Sequence, residues 1–409
     1  TVNATAASMM GVEEGSSWHD YIMDNTVKQM TMVQRGLKQA QEEGYQFPAS
    51  VQEQYEDSLN SLKTSAESTG MSVKAYLQRN LGAIMTEKVY NQQVLRMLQY
   101  QAYAQSYSDS LTYTDAELEA AYQADPKAYD KAAWEYVVVS GAADSTTDAD
   151  GNTVQPTDEE NAAAKEAASA NANAALEAVR NGLLMEKAAD NYDNGTYTDR
   201  PTGTYSGDAV TEWVFNAERQ EGDLTLIESG DNYYVVLFHS RGRNDYNTVD
   251  VRHILFKVDT SDLDSKADDY QEKLDARKAE QKEAAEAALK KWEEGARTED
   301  SFAELANELS ADTGSNTKGG LYTEVYKGQM VTEFNDWCFD ESRQPGDTGI
   351  VYNEGSYTGY HVIYFVGTDA PYWQVQVRNA MKNADYTQWN NALVKDITAT
   401  EASGMKYLV

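Results

Sequence analysis

This 409-residue chain is short of cysteine, histidine, proline and basic charge, and each shortage removes a class of protein. Its one cysteine, Cys338, has no second thiol with which to close an intramolecular disulfide, so a disulfide scaffold is excluded. Its four histidines, His19, His239, His253 and His361, lie far apart, and no zinc-ligand spacing forms around them. Only 34 Lys and Arg stand against 67 Asp and Glu, a formal charge of −33 without any basic stripe to relieve it. Such a surface repels a polyanion, which argues against a nucleic-acid partner. No run approaches the roughly 20 apolar residues of a membrane span. The chain opens Thr1-Val2-Asn3, without an initiator methionine, basic n-region or apolar h-region. It is therefore expected to be a processed or truncated form that meets a membrane only through a segment absent from it.

What is present is a globular composition, 41% hydrophobic and 25% charged, long enough for several domains. From Trp18 to about Asp125 the pattern is helical, with room for about five helices broken at Gly44 to Pro48, Ser68-Thr69-Gly70 and Thr112 to Asp115. Ser72 reads as an N-cap. After Asp125-Pro126 the grammar changes to β-branched runs, an Ala-rich helix, Gly/Asp/Asn turns and a strand from Tyr233 to Phe238. The same order recurs from Val251 to Phe365, and helix returns at about Asp385 to Ile397. There Trp389, Leu393 and Ile397 recur at i, i+4, i+8 and need an apolar partner, which the N-terminal helices can supply.

The two α+β stretches repeat one another. Residues Trp213 to Asp223 match Trp337 to Asp347 without a gap, sharing Trp, Phe, Arg, Gln, Gly and Asp. Tyr136 and Tyr234 stand in the first stretch where His253 and His361 stand in the second. Whatever needs imidazole is absent from the first.

A lone strand histidine is usually a packed residue. Two of them at corresponding places, in a stretch whose twin has tyrosine at both, call for another reason. The second stretch also carries Phe302-x-x-Leu305-Ala306, Ser310-x-Asp312, Gly319-Gly320, Gly328-Gln329-Met330-x-x-x-Phe334 and the closing Gly359-x-His361 strand. In this order these motifs resemble the parvulin family of peptidyl-prolyl cis/trans isomerases over about residues 249 to 368. With the helices before it, the chain looks like an extracytoplasmic foldase of the PrsA and SurA type.

The resemblance implies a multidomain α plus α+β protein. Residues 1–128, completed by 369–409, would form a helical chaperone domain. Residues 129–245 would be a parvulin-like domain lacking the histidine pair, and 246–368 an active one, each a small antiparallel sheet covered by helices. Only 246–368 would then accelerate X-Pro isomerisation. The resemblance further implies that His253 and His361 pair at the floor of the site, with Asp312 in their network and the Thr358 hydroxyl bonded to the neighbouring histidine. Leu321, Met330 and Phe334 would make the prolyl pocket. Partners would be unfolded or proline-containing polypeptides met outside the cytoplasm, in secreted or membrane-anchored form, and no cofactor or metal is implied. Phe334→Ala is expected to remove activity yet leave the fold intact, and Met330→Ala to act less severely. The competing reading is a non-catalytic chaperone or surface scaffold that uses both domains only to bind peptide.

Rotation about a peptide bond meets a barrier of about 18 to 20 kcal/mol, and X-Pro exchange unaided takes tens to hundreds of seconds. No nucleophile is needed, only a pocket that favours the twisted amide over either planar state. Among other residues, Asp148-Ala-Asp150-Gly151-Asn152 faintly resembles a calcium loop but has Thr157 where a bidentate Glu is wanted, so it reads as a turn. Lys257 reads as a solvated loop residue and Cys338 as a small packed side chain. Eight of twelve methionines fall in the first hundred residues, a pattern shared by adaptable binding surfaces and ordinary helical cores.

Overall fold

Polar caps start the helices where the apolar periodicity predicts them. Ser72 accepts the Ala75 N–H and Thr86 the Val89 N–H, both at 3.2 Å, satisfying first-turn donors that the helix itself leaves unpaired. The computed structural model describes residues 15, 17–192 and 195–397. In chain order its first elements are α1 (Trp18–Glu42), α2 (Ala49–Ser68), α3 (Val73–Leu81), α4 (Glu87–Ser110) and α5 (Asp115–Ala124). Next come β1 (Lys131–Ser140), the two-residue strands β2 (Thr146–Thr147) and β3 (Thr153–Val154), α6 (Asp158–Arg180), α7 (Met185–Ala189), β4 (Gly195–Gly203), α8 (Ala209–Val214), β5 (Leu224–Ser229) and β6 (Asn232–Gly242). The remainder is β7 (Asn247–Lys257), α9 (Tyr270–Glu294), α10 (Glu299–Leu309), β8 (Leu321–Val325), α11 (Thr332–Cys338), β9 (Thr348–Asn353), β10 (Gly359–Pro371) and α12 (Tyr372–Leu393). The chain divides into two units, residues up to Thr114 with those from Arg378 onward, and Asp115–Val377.

In the first unit, α1 and α4 pack around Val33, Ala40, Tyr100, Tyr103 and Ala104, and Trp389 and Leu393 of α12 complete this core. Trp389 stacks on Tyr107 with ring centres 4.6 Å apart. Arg35 donates to the Leu393 and Lys395 carbonyls, each at 3.0 Å, and so caps orphan groups at the end of α12. Gly36 is required at the α1–α4 contact, since a Cβ there would lie 2.6 Å from the Tyr100 ring. The helix expected from about Asp385 begins instead at Tyr372, where Pro371 ends the preceding strand and Trp373, Val375 and Val377 turn inward.

The second unit holds two four-stranded antiparallel sheets, ordered β4-β1-β6-β5 and β8-β7-β10-β9, each reached by the same sequence of strands and helices. The shared Trp-to-Asp motif explains itself in bonds. Arg219 lies over Trp213 at 4.7 Å, and Arg343 over Trp337 at 4.2 Å. Gly222 and Gly346 take φ of +86° and +96° and donate to Phe238 and Phe365. Asp223 and Asp347 then receive the Gln220 and Gln344 N–H groups at 3.0 and 2.9 Å. α5 belongs to this second unit, where the Tyr122 hydroxyl and Arg241 both donate to buried Asp130 at 2.6 Å. The Asp148 to Asn152 stretch is the β2–β3 turn, its Asp148 carboxylate accepting the Asp150 and Asn152 N–H groups. Among the described residues no helix is long and apolar enough to cross a membrane.

Candidate functional site

The central strands of the second sheet carry the two histidines. His253 on β7 faces Ile363, and His361 on β10 faces Leu255, so the pair sits diagonally across one ladder on one face. Their rings lie 5.6 Å apart and 18° from parallel, and the residues are 6% and 4% exposed.

Asp312 reaches them because the chain after α10 runs along the edge of β7. Leu255 donates to the Ser310 hydroxyl at 3.1 Å, Ala311 to the Leu255 carbonyl at 2.9 Å, and Asp312 to the Ser310 hydroxyl at 3.2 Å. The chain returns through Gly319-Gly320, at φ of +66° and +68°, and the Gly320 carbonyl accepts the His253 N–H at 2.9 Å. Only glycine fits at 320, since a Cβ would come within 2.3 Å of the His253 carbonyl oxygen.

Four donors converge on the Asp312 carboxylate. His253 Nε2 lies 3.0 Å and the Tyr322 hydroxyl 2.9 Å from Oδ2, which also takes the Ser315 hydroxyl, while Gly314 N–H lies 3.2 Å from Oδ1. The His253 bond first, then Ser315 and Tyr322, hold the carboxyl well below the usual carboxylate range against the opposing effect of burial. Burial and the Asp312 bond push the Tyr322 phenol up to about 12. An ionised carboxylate only accepts, so His253 donates its Nε2–H to Asp312. The His253 Nδ1 and both His361 nitrogens are buried without a partner of hydrogen-bonding geometry among the described residues. Burial, reinforced by the neighbouring His253 ring, lowers the His361 pKa to about 4, with the Tyr357 backbone and Asp312 opposing. His361 is neutral at neutral pH.

Above this floor Phe334 of α11 stands perpendicular to both imidazoles, 5.4 and 5.7 Å from ring centre to ring centre. Met330, Val331, Gln329, Leu255, Tyr322 and Tyr357 complete a cleft of about 300 Å³. The structure thus brings together five of the seven residues singled out, His253, Asp312, His361, Met330 and Phe334.

Two others are not there. Leu321 does not line the cleft. It pairs with Arg252 on β8, and strand alternation gives the cleft face to Tyr322, opposite Val251. Thr358 does not bond a histidine. Its hydroxyl donates to the Gly355 carbonyl at 2.7 Å and accepts the Gly355 N–H at 3.0 Å, closing the β9–β10 turn. The view of Phe334 as a pocket wall alone is also corrected. It is 2% exposed and packs into the core of Val249, Val251, Val325, Cys338, Ile363 and Phe365.

Sequence reasoning missed Tyr322, Ser315 and Tyr357. Counting alternate positions from Gly320 exposes Tyr322. Nothing local marks Tyr357, an exposed residue at the cleft held at φ +58°. Cys338 is a packed side chain, 1% exposed, its thiol pushed up to about 12 by burial, so no thiolate reaches the cleft. A largely apolar pocket over a neutral His361 and a His253 bonded to Asp312 suits conformational rather than covalent chemistry.

Residues 233–367 match the model of the PPIC-type PPIase domain, a match that begins one strand before the second sheet. No curated protein matches the chain. Among solved structures, the peptidylprolyl isomerase PrsA of Bacillus cereus is similar at 22% identity, over 40% of this chain and 58% of that one, with a TM-score of 0.23. PrsA of Bacillus anthracis is similar at 23% identity, over 39% and 64%, with the same TM-score of 0.23. The chain therefore spans less than two thirds of the length of either. The matched segment, residues 233–367, belongs to the PPIC-type, or parvulin, peptidyl-prolyl isomerase domain family.

Proposed function

We propose that this chain is an extracytoplasmic protein-folding factor whose residues 246–368 catalyse cis/trans isomerisation of X-Pro bonds in unfolded clients. The observation that carries the reading is the stacked His253–His361 pair, bonded to Asp312 and roofed by Phe334 and Met330. The prolyl ring packs between the Phe334 ring and the Met330 thioether, surfaces with no polar atom to desolvate. The amide lies over the imidazoles, where loss of conjugation leaves a more basic nitrogen and a more ketone-like carbonyl. The N–H of neutral His361, unpartnered among the described residues, meets that state better than it meets the planar amide. Asp312 accepts from three donors on Oδ2 and one on Oδ1, and acts by orienting His253.

Residues 129–245 are read as a parvulin-like copy without the histidines, and the first unit as a chaperone module. The latter is favoured by a cleft of about 560 Å³ along α1 and α4 whose lining includes Ile22, Met30 and Met97, 57%, 59% and 42% exposed. The binding-only alternative is disfavoured by the His253–Asp312 bond and the stacked His361 ring of the second copy, although Thr358 is turned into its own loop.

The test is NMR exchange spectroscopy on a proline tetrapeptide with the full chain and with His253→Ala. Acceleration by the parent and at least about tenfold loss in the variant are expected. A parent that leaves the exchange rate unchanged would sink the isomerase reading.

A further inference from the structure

The repeat places a second cleft at the matching position of the first sheet. Tyr136 faces Val236 and Tyr234 faces Val138, the ladder positions that His253 and His361 take against Ile363 and Leu255. The phenol rings lie 5.7 Å apart, against 5.6 Å for the imidazoles. Aligning Trp213 with Trp337 puts Ser206 and Val210 where the second copy has Met330 and Phe334. With the roof cut back to smaller side chains, the space opens to about 580 Å³, compared with about 300 Å³ at the histidines. A prolyl ring is too small to fill it.

The polar groups around this cleft favour an anion. Lys131 and Arg200 line it, and neither side chain has a hydrogen bond or ion pair among the described residues. The hydroxyls of Tyr136 and Tyr234 are likewise without a partner among the described residues. Of the carboxylates alongside, Asp208 is consumed as the cap of α8, accepting the Val210 and Thr211 N–H groups at 2.9 Å and the Ser206 hydroxyl. Asp199 also lines the cleft, but it lies opposite Glu135 in the ladder whereas Arg200 lies opposite Trp134, so alternation turns its carboxylate toward the other face. In a chain of charge −33, free cations beside an aromatic floor of Trp134, Tyr136 and Tyr234 mark the place where an anionic segment can approach.

We propose that this cleft is a non-catalytic binding site for extended acidic peptide segments, Asp or Glu residues flanking a bulky side chain that occupies the space left by Ser206 and Val210. The proposal takes its location from the reading of residues 129–245 as a second parvulin-like copy, and it stands whether or not the histidine site isomerises proline.

The experiment uses the full chain and two short, proline-free, fluorescein-labelled peptides built around one tyrosine, one rich in Asp and Glu and the other with Asn and Gln in their place. Fluorescence anisotropy is expected to show the acidic peptide binding at least about tenfold more tightly, with an affinity that falls as salt is added. Arg200→Glu, a surface change, and Val210→Phe, which refills the cleft, are each expected to weaken that binding at least about tenfold. Equal affinity for the two peptides, no binding at all, or acidic-peptide binding that survives Arg200→Glu would overturn the proposal. Proline exchange measured on Arg200→Glu is expected to match the parent, and a parallel loss would place the peptide at the histidine site and count against it. A parent that binds the acidic peptide but does not accelerate proline exchange would end the isomerase reading and leave this one standing.

Discussion

Phe334 gives the sharpest test because one ring does two jobs. It is 2% exposed among Val249, Val251, Val325, Ile363 and Phe365, and its ring stands perpendicular to both imidazoles. Truncating a buried phenylalanine to alanine costs about 3 to 5 kcal/mol, a large part of the roughly 5 to 15 kcal/mol that holds a domain together. Phe334→Ala is therefore expected to lose isomerase activity and fold stability together. Phe334→Leu nearly conserves volume and is expected to cost about 1.5 kcal/mol or less in packing. Loss of the perpendicular contacts to both imidazoles is part of that cost. The leucine variant should thus stay folded with a modestly lowered urea midpoint, followed by near-UV circular dichroism, while its proline exchange rate falls several-fold. The reasoning is refuted if Phe334→Ala abolishes activity with a midpoint shift equivalent to less than about 1 kcal/mol, since the ring would then be wall and not core.

The remaining predictions concern the network and the first unit. His361 has a folded pKa lowered to about 4 from an ordinary 6.5, so the unfolded chain binds its proton first as pH falls. Stability should drop between pH 6.5 and 4, by about 3.5 kcal/mol at about 1.4 kcal/mol per pH unit; an NMR titration placing His361 near 6.5 would contradict this. Asp312 has a depressed folded pKa, so its contribution is complete above the ordinary carboxylate range and is lost only in strong acid; a pH profile of proline exchange from 5 to 9 should show no inflection from it. Tyr322→Phe removes one donor from Asp312 and should lower exchange several-fold without unfolding, whereas Leu321→Ala should leave exchange unchanged; the reverse order of effects would restore Leu321 to the pocket. Trp389→Ala empties the core shared by α1, α4 and α12 and should cost about 3 to 5 kcal/mol in the first unit, read by loss of helical circular dichroism at lower urea.

Much of the architecture was legible because its signals are local. Helix periodicity with Ser72 as a cap, and the Trp-Phe-Arg-Gln-Gly-Asp motif, each rest on bonds made within a few residues. The start of α12 was read thirteen residues too late, because Tyr372 to Val377 are held by burial rather than by helical periodicity. Thr358 failed for a related reason. A hydroxyl beside a turn glycine can bond its own loop, and here Gly355 is nearer than any histidine.

By itself the sequence determined that imidazole occurs at paired strand positions in the second α+β stretch and tyrosine in the first, together with the aspartate and the Gly-Gly turn that could accompany them. Only the tertiary structure decided which neighbours those side chains meet. Strand alternation turned Tyr322 and not Leu321 to the cleft, and the edge contact between Ser310–Asp312 and β7 delivered the carboxylate to His253. The back of Phe334 met a core that no periodicity announces. The reason is physical: caps and turns are fixed by hydrogen bonds between near neighbours in the chain, whereas a cleft is the space left when strands and helices a hundred residues apart have packed.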